Sequence, residues 1–411
     1  MYQFISDILW LVIKPIAKKV VLKRGYPMDA VSRKCGNIPE SGFSQDDNVV
    51  MFHGVSVGET VALENLVKTA RKEFSNSKIV MTTGTFTGQE IAKKKLGEYT
   101  DLITYFPADF PCVIKKFLDK VNPKTVFIAE TEIWPNFAME CKKRGINLYI
   151  INGRFSDSTF KSYNALKLIF KYFLSFYTGI FTQSEDDNQK FLTLGANPDS
   201  TKVMNNLKFD VKQPECVNFD KSGARVLLAG STHAGEDEIV LNVYKNLKEK
   251  YPDLKLILAP RHLTRVEDVK TLVENTGFPY AQRSSGKSDL VDCEILILDT
   301  LGELGKMYAH SDISFIGGSF NKTGGHNPLE SIVFEKPVIS GPSTHNFKDI
   351  YAIIKKAEAG FVVNSEQEFF EIADKMLSDT EFYSKTVQKC EKVFKEQQGA
   401  LEFVIDVIRK S

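Results

Sequence analysis

A chain of 411 residues exceeds what one compact core organises and fits two domains of roughly 200 residues each. Its 43% hydrophobic and 26% charged content is that of an ordinary globular protein, which excludes a disordered or collagen-like chain. The formal net charge of +1 argues against a dedicated nucleic-acid binder, which carries a basic excess. Cys35, Cys112, Cys141, Cys216, Cys293 and Cys390 stand singly, with no CxxC pair and no clustered histidine. That pattern suits reduced thiols rather than a disulfide scaffold or a zinc site. HExxH, GxGxxG and GxxxxGK[ST] are all missing from the sequence, and neither a metal nor a cofactor is expected.

Residues 1–24 form the first predicted element. Tyr2–Ile16 is largely apolar and holds Trp10, but Asp7 and Lys14 interrupt it, and Lys18, Lys19, Lys23 and Arg24 follow. The stretch is short of the ~20 apolar residues of a helical span and lacks the small-residue cleavage site of a secretory signal. It reads as a membrane-associated interfacial helix, apolar face in lipid and lysines on anionic headgroups. The plain alternative is a helix that caps the first domain.

Short apolar, β-branched runs then alternate with helix-length amphipathic stretches. The first set is Val49–His53, Lys78–Thr82, Leu102–Phe106, Thr125–Ala129, Leu148–Ile151 and Ile180–Gln183. The second is Arg225–Ala229, Leu254–Ala259, Ile295–Leu298, Ile313–Ile316, Pro337–Ser340 and Gly360–Val363. Continuous apolar strands between helices predict parallel sheets covered on both faces. Two sets in succession predict an α/β protein of two doubly wound, Rossmann-like domains. The segment 212–223, with Pro214, Asn218 and Gly223, carries no periodicity, which places the boundary at 215/216 and the domains at 25–215 and 216–411.

Ligands of such sheets bind beyond the carboxyl ends of the strands, and the chemically loaded strings sit there. In the first half, His53-Gly-Val-Ser-Val-Gly-Glu59, Thr82-Thr-Gly-Thr-Phe-Thr-Gly88, Glu130-Thr-Glu-Ile-Trp-Pro-Asn136 and Asn152-Gly-Arg154 follow strands. Glu59 opens an expected helix over 60–74 whose Val61, Leu66, Val67 and Ala70 face the core; there it should stay ionised and act as a base, or simply favour the helix start. Glu130 and Glu132, on one side of an extended chain, suit a cationic partner. Lys208 stands near the boundary in Asn205-Asn-Leu-Lys-Phe-Asp210. Ser56, Gly58 and Thr82, at the same strand ends, are candidate contacts to a ligand.

In the second half, Gly230-Ser231-Thr232 leads into a helix near Ala234, an arrangement that either receives a phosphate or caps the helix. Pro260-Arg261-His262 ends a strand with a fork of anion donors, or with a surface arginine. Asp299-Thr-Leu-Gly-Glu303 holds turn and capping residues. Gly317-Gly318 continues to Gly324-Gly325-His-Asn-Pro-Leu-Glu330; the paired glycines admit close backbone approach, and Glu330 suits ribose hydroxyls or a helix cap.

Taken in order, HGVSVGE, ETEIWPN, NLKFD, AGSTH, PRH, DTLGEL and GGHNPLE resemble the bacterial 3-deoxy-D-manno-octulosonic acid (Kdo) transferase family, and the likeness runs almost end to end. The family implies GT-B architecture, two Rossmann-like domains with an interdomain cleft. It implies an inverting glycosyltransferase that moves Kdo from CMP-Kdo to a lipid A precursor of the lipid IVA type in lipopolysaccharide biosynthesis, on the cytoplasmic side of the inner membrane. By resemblance Glu59 is the base, and Glu130 and Lys208 stabilise the transition state. CMP is held by Pro260 and Arg261, by Leu301, Gly302 and Glu303, and by Asn327, Pro328, Leu329 and Glu330. Ser231, Thr232, Gly318 and Gly325 complete the expected donor site, and Ser56, Gly58 and Thr82 are expected to contact the acceptor. Gly54 and Gly84 depart from the larger residues expected in several relatives.

Overall fold

A computed structural model describes residues 25–410, apart from 39–41 and 287–288, together with scattered positions before residue 25, among them Trp10. Most of the 1–24 segment expected at the membrane lies outside the described residues; Trp10 itself is buried, its ring 4.5 Å from that of Phe110. The chain forms two compact units, Met1–Asp210 with Gln397–Ser411, and Val211–Glu396. The break therefore falls after Asp210 rather than at 215/216. The expected second domain also ends at Glu396 instead of 411, because the last stretch returns to the first unit.

The first unit is a parallel sheet in the order β3-β2-β1-β4-β5-β6-β7, from β1 (Val49–Gly54), β2 (Lys78–Thr83), β3 (Leu102–Tyr105), β4 (Thr125–Ala129), β5 (Asn147–Gly153), β6 (Gly179–Thr182) and β7 (Thr201–Val203). Alternate residues feed opposite cores, as the two-residue strand period requires. Val49, Met51, Val126 and Ile128 join one cluster with Phe117 and Phe137. Val50, Phe52, Phe127 and Ala129 join the other with Leu66 and Val67. On that second face Phe52, Phe127, Tyr149 and Phe181 stack in a ladder at 5.5, 5.2 and 5.5 Å.

The returning helix Ala400–Lys410 closes this second face. Phe403 meets the end of the ladder edge-on, 4.8 Å from Phe181, and Ala400, Val404, Ile405 and Ile408 are buried. Its start is capped by Asp210, whose carboxylate accepts the Gly399 N–H at 2.8 Å and the Leu401 N–H at 2.5 Å. The last residue of the NLKFD string thus serves the fold.

The second unit is also parallel, in the order β10-β11-β9-β8-β12-β13-β14. Its strands are β8 (Arg225–Thr232), β9 (Leu254–Pro260), β10 (Tyr280–Gln282), β11 (Ile295–Ile297), β12 (Ile313–Ile316), β13 (Val338–Ser340) and β14 (Gly360–Val362). Leu227, Ala229, Leu256, Leu258, Phe315 and Ile339 centre its core. The two expected doubly wound, Rossmann-like domains of GT-B type are present. In each, the strand order reverses beside the first strand, between β1 and β4 and between β8 and β12, and a crevice opens at such a switch point.

Candidate functional site

In the first unit the loop after β1 is a Ser-x-x-Glu capping box. Ser56 is extended and caps the helix Val57–Ala62. Its hydroxyl donates to Glu59 Oε1 at 2.8 Å, and the Val55 N–H donates to Glu59 Oε2 at 2.6 Å. The helix stops at Leu63 and resumes as Glu64–Glu73, so the single helix expected over 60–74 is broken. Val61, expected in the core, is exposed. Gly84 is required rather than incidental: a Cβ there would lie 2.6 Å from Val55 Cγ1, pushing the residue whose amide holds Glu59.

Glu59 is buried. Burial raises its pKa, the Glu130 carboxylate raises it further, and the hydrogen bonds from Ser56 and Val55 oppose both. The expected helix-start carboxylate, fully ionised, is thus corrected toward one that keeps its proton to higher pH, the direction that strengthens a base. Glu130 takes a left-handed φ of 58°, a conformation that costs a non-glycine residue about 1–3 kcal/mol and clusters at functional sites. This bend replaces the extended geometry expected across Glu130 and Glu132. The cation beside Glu130 is Arg154, whose Nε lies 3.0 Å from Glu130 Oε2.

Glu132 titrates near neutrality. Burial, then Glu59, then Glu130 push its pKa up to about 7. The folded state therefore keeps a proton that the unfolded chain has lost above about 4.5, so stability falls as pH rises from about 4.5 to about 7 and levels off beyond. Urea unfolding midpoints followed across that window should fall for the wild type relative to Glu132→Gln, and parallel curves would remove the assignment.

Thr82 does not face an acceptor. It is fully buried; its hydroxyl donates to the Phe52 carbonyl at 3.2 Å and lies 3.0 Å from His53 Nδ1. Burial drives the His53 pKa down to about 3, which keeps the ring neutral, and its Nε2 is buried without a partner. Ser56 is half-buried with its hydroxyl on Glu59, and Gly58 is exposed. Lys208 sits in the 3-10 turn Leu207–Phe209. That turn is fastened by Asn152 Oδ1, which accepts the Leu207 N–H at 3.0 Å, and by the buried Asn206, whose amide donates to Gln183 Oε1 at 3.0 Å. Among the described residues no carboxylate pairs with the Lys208 ammonium.

In the second unit the expected phosphate seat after β8 is occupied differently. Thr232 is fully buried and donates its hydroxyl to Asp237 Oδ1 at 2.6 Å; Asp237 in turn pairs with Arg265. Thr232 is therefore not a phosphate donor. The helix begins at Glu236 rather than near Ala234, and Glu236, Asp237 and Glu238 fill its first turn, which opposes an anion there. Ser231, at φ 58°, is itself buried near the end of β8. Gly230 has no room for a side chain, since a Cβ would lie 2.0 Å from the Tyr308 hydroxyl.

Glu236, which the sequence did not single out, organises the site. Its buried carboxylate accepts N–H groups from His233 at 2.9 Å, Gly318 at 2.7 Å, and Ser319 and Phe320 at 2.8 Å each. The Gly318 amide is thus committed to Glu236 instead of a bound nucleotide. The loop beyond folds back on β12, with the Gly325 N–H on the Gly318 carbonyl at 2.7 Å and the His326 N–H on the Gly317 carbonyl at 3.1 Å.

This places a basic and imidazole-rich group at the switch point. Buried Pro260 ends β9 and delivers Arg261, exposed and without a carboxylate partner among the described residues. His233 Nε2 and His326 Nε2 are 2.9 Å apart, so one carries the shared proton and the other accepts it. Burial, then Arg261, then His233 and His262 lower the His326 pKa to about 4, which holds that pair neutral at pH 7. Asn327 Oδ1 accepts the Leu329 N–H at 3.1 Å, turning the chain through buried Pro328 and Leu329 into the short helix Leu329–Ile332. Glu330 lies at the surface, yet desolvation by its surroundings raises its pKa against the pull of Arg261. Glu303 is gripped by Arg283, Nη2 to Oε1 at 2.7 Å, and by Thr300, which lowers its pKa; Leu301 is bare to solvent and Gly302 takes φ 81°.

Among the described residues no group of three or more His, Cys, Asp or Glu is placed to hold a metal ion. An open depression of about 430 Å³ along β14, lined by Lys355, Phe361, Glu368 and Ile372, holds none of the candidate site residues.

Residues 29–211 match the family model described as 3-deoxy-D-manno-octulosonic-acid transferase (kdotransferase). The 3-deoxy-D-manno-octulosonic acid transferase of Haemophilus influenzae is 32% identical over 369 residues, covering 88% of this chain and 86% of that one. The enzyme of the same name from Rickettsia bellii is 31% identical over 347 residues, covering 82% of this chain and 81% of its own length. In fold, the chain is similar to the UDP-GlcNAc 2-epimerase of Neisseria meningitidis, with a TM-score of 0.56 over 89% of this chain and 100% of that one, at 14% identity. With a relative this similar along nearly its whole length, and with carboxylates and an unpaired arginine gathered at the two switch points, the chain belongs to the 3-deoxy-D-manno-octulosonic acid transferase family of glycosyltransferases.

Proposed function

We propose that the chain transfers Kdo from CMP-Kdo to a lipid A precursor of the lipid IVA type, with inversion, in lipopolysaccharide biosynthesis at the cytoplasmic face of the inner membrane. The observation that carries this reading is Glu59, a buried carboxylate oriented through both oxygens at a switch point and shifted upward in pKa. In the reaction a hydroxyl of the acceptor attacks the ketose carbon and CMP departs with the bonding electrons of its C–O bond. Glu59 accepts the hydroxyl proton as it becomes acidic. A single displacement inverts the anomeric centre.

Charge accumulates on the departing phosphate, and Arg261 offers it an unpaired fork of donors. Ser231 adds a hydroxyl. Glu330 is assigned to the ribose hydroxyls, and the exposed Leu301 and flexible Gly302, beside the Arg283–Glu303 pair, to the cytosine. Pro260, Gly325, Asn327, Pro328 and Leu329 shape the backbone around it. Lys208, free of a carboxylate, and Glu130, braced by Arg154, are assigned to the transition state. Exposed Val57, Val61 and Phe86 lie on two helices packed together beside Glu59 and offer apolar surface to acyl chains; Ser56 and Gly58 border the same loop.

Mass spectrometry of products from CMP-Kdo and a tetra-acylated lipid A precursor tests the reaction, and unchanged acceptor would end the proposal. A competition of CMP against UDP separates it from a UDP-sugar transferase of the same fold. Arg261→Ala and Glu330→Ala should each weaken CMP binding by about 1.5–3 kcal/mol, as for hydrogen bonds involving a charged group. Calorimetry giving wild-type affinity for both would move the donor site elsewhere.

A further inference from the structure

The helices Asp157–Ala165 and Lys167–Leu174 leave their outer face uncovered. The first has no buried residue, and the second buries only Leu174. Leu168 is 84% exposed, and Leu166, Ile169 and Tyr172 are each at least half exposed. The pair is nevertheless well fastened beneath. Tyr163 of one stacks on Phe170 of the other, 3.9 Å between centroids and 11° between planes, and Phe160, Tyr163 and Phe176 pack on the first unit's core.

Beyond Asp157, which opens the first helix, charge on this face has one sign. Lys161, Lys167 and Lys171 are exposed on it, and the sequence from Ser158 to Ser184 contains no aspartate or glutamate. A helix face that exposes leucine, isoleucine and tyrosine among lysines, with the one acid of the two helices, Asp157, paired with Lys190 at 3.2 Å, has the make-up of an element lying in a lipid interface. A second copy of this chain fits poorly, because a two-fold contact sets the patch against itself and lysine against lysine. A groove for one acyl chain fits poorly too, because the face is the outside of two helices.

We propose that the face formed by Leu166, Leu168, Ile169 and Tyr172 with Lys161, Lys167 and Lys171 docks on an anionic lipid bilayer. The apolar side chains enter the boundary between headgroups and acyl chains, and the lysines pair with lipid phosphates around them. This contact is separate from residues 1–24 and does not depend on the transfer reaction.

The test is flotation of the full chain with vesicles of phosphatidylcholine alone and of phosphatidylcholine mixed equally with phosphatidylglycerol. One variant carries Leu168→Ser, Ile169→Ser and Tyr172→Ser; a second carries Lys161→Gln, Lys167→Gln and Lys171→Gln. All six positions are exposed, so unfolding midpoints should stay at the wild-type value. Both variants keep residues 1–24, so any anchoring there cancels in the comparison. Each variant should partition into the mixed vesicles on the order of tenfold less than the wild type or worse, and the lysine variant should lose most of the salt dependence. Equal partition of all three proteins overturns the proposal. So does a wild-type dimer that the serine variant converts to monomer, because a second copy would then cover the face. Transfer to detergent-dispersed acceptor, measured alongside, reads the catalytic proposal independently.

Discussion

Glu59→Gln is expected to lower turnover by about 10²–10⁴-fold, the usual contribution of a positioned general base, while calorimetric CMP affinity stays at the wild-type value. The amide is chosen because it preserves shape and can still accept the Val55 N–H that Glu59 receives at 2.6 Å, so the helix start survives. Glu59→Ala would also remove the capping box, at a cost of about 0.5–2 kcal/mol, and would confuse lost chemistry with lost structure. CMP affinity should not move, because the residues assigned to the nucleotide all belong to the second unit. Turnover of Glu59→Gln within tenfold of the wild type, a barrier change of about 1.4 kcal/mol, would show that another group takes the proton.

Glu236→Ala should be the most damaging single change in the second unit. The carboxylate satisfies four backbone N–H groups, and each buried donor left without a partner costs about 1–3 kcal/mol. Water entering the vacated space recovers part of this, so a net loss of about 3–5 kcal/mol is expected, typical of removing one partner from a buried charged arrangement. The loop from Gly317 to His326 should loosen, and CMP affinity should fall at least tenfold with it. Glu236→Gln should rescue little, since its NH2 group would confront donors. A wild-type urea midpoint for Glu236→Ala would refute this account of the loop.

The major strands were legible because both faces of each sheet are buried, which writes them as unbroken apolar runs. β7 and β10 were not. Each is three residues long with a polar member, Lys202 in one and Gln282 in the other, and such edge strands leave no run to read. The path of the final helix was also hidden: its amphipathic pattern shows that Ala400, Val404 and Ile408 bury a face, but not against which core. At the site, Glu59, Glu130, Lys208, Arg261 and Glu330 were singled out from strand ends and from the order of motifs that carries the family resemblance. Thr82, Thr232 and Gly318 were misread for one reason. A hydroxyl or amide at a strand end looks available in sequence, and only the tertiary structure shows that His53, Asp237 and Glu236 have already taken them. Glu236 itself was masked by Asp237 and Glu238, since three acids opening a helix resemble ordinary dipole matching.

The return of the chain to its first half imposes an order on biosynthesis. When Asp210 leaves the ribosome, the sheet that carries Glu59 and Glu130 is complete in strands but lacks the helix that covers Phe181 and the face beneath it. The whole of Val211–Glu396 must be translated first, and at ~5–20 residues per second that wait is on the order of ten seconds or more. During it, the nascent first half presents an aromatic, apolar surface to the cytosol, while the second half emerges with all of its own strands. Assembly is therefore last-in, first-half: the unit Val211–Glu396 is able to mature before the unit that carries Glu59, and chaperone demand should concentrate on the part synthesised earliest.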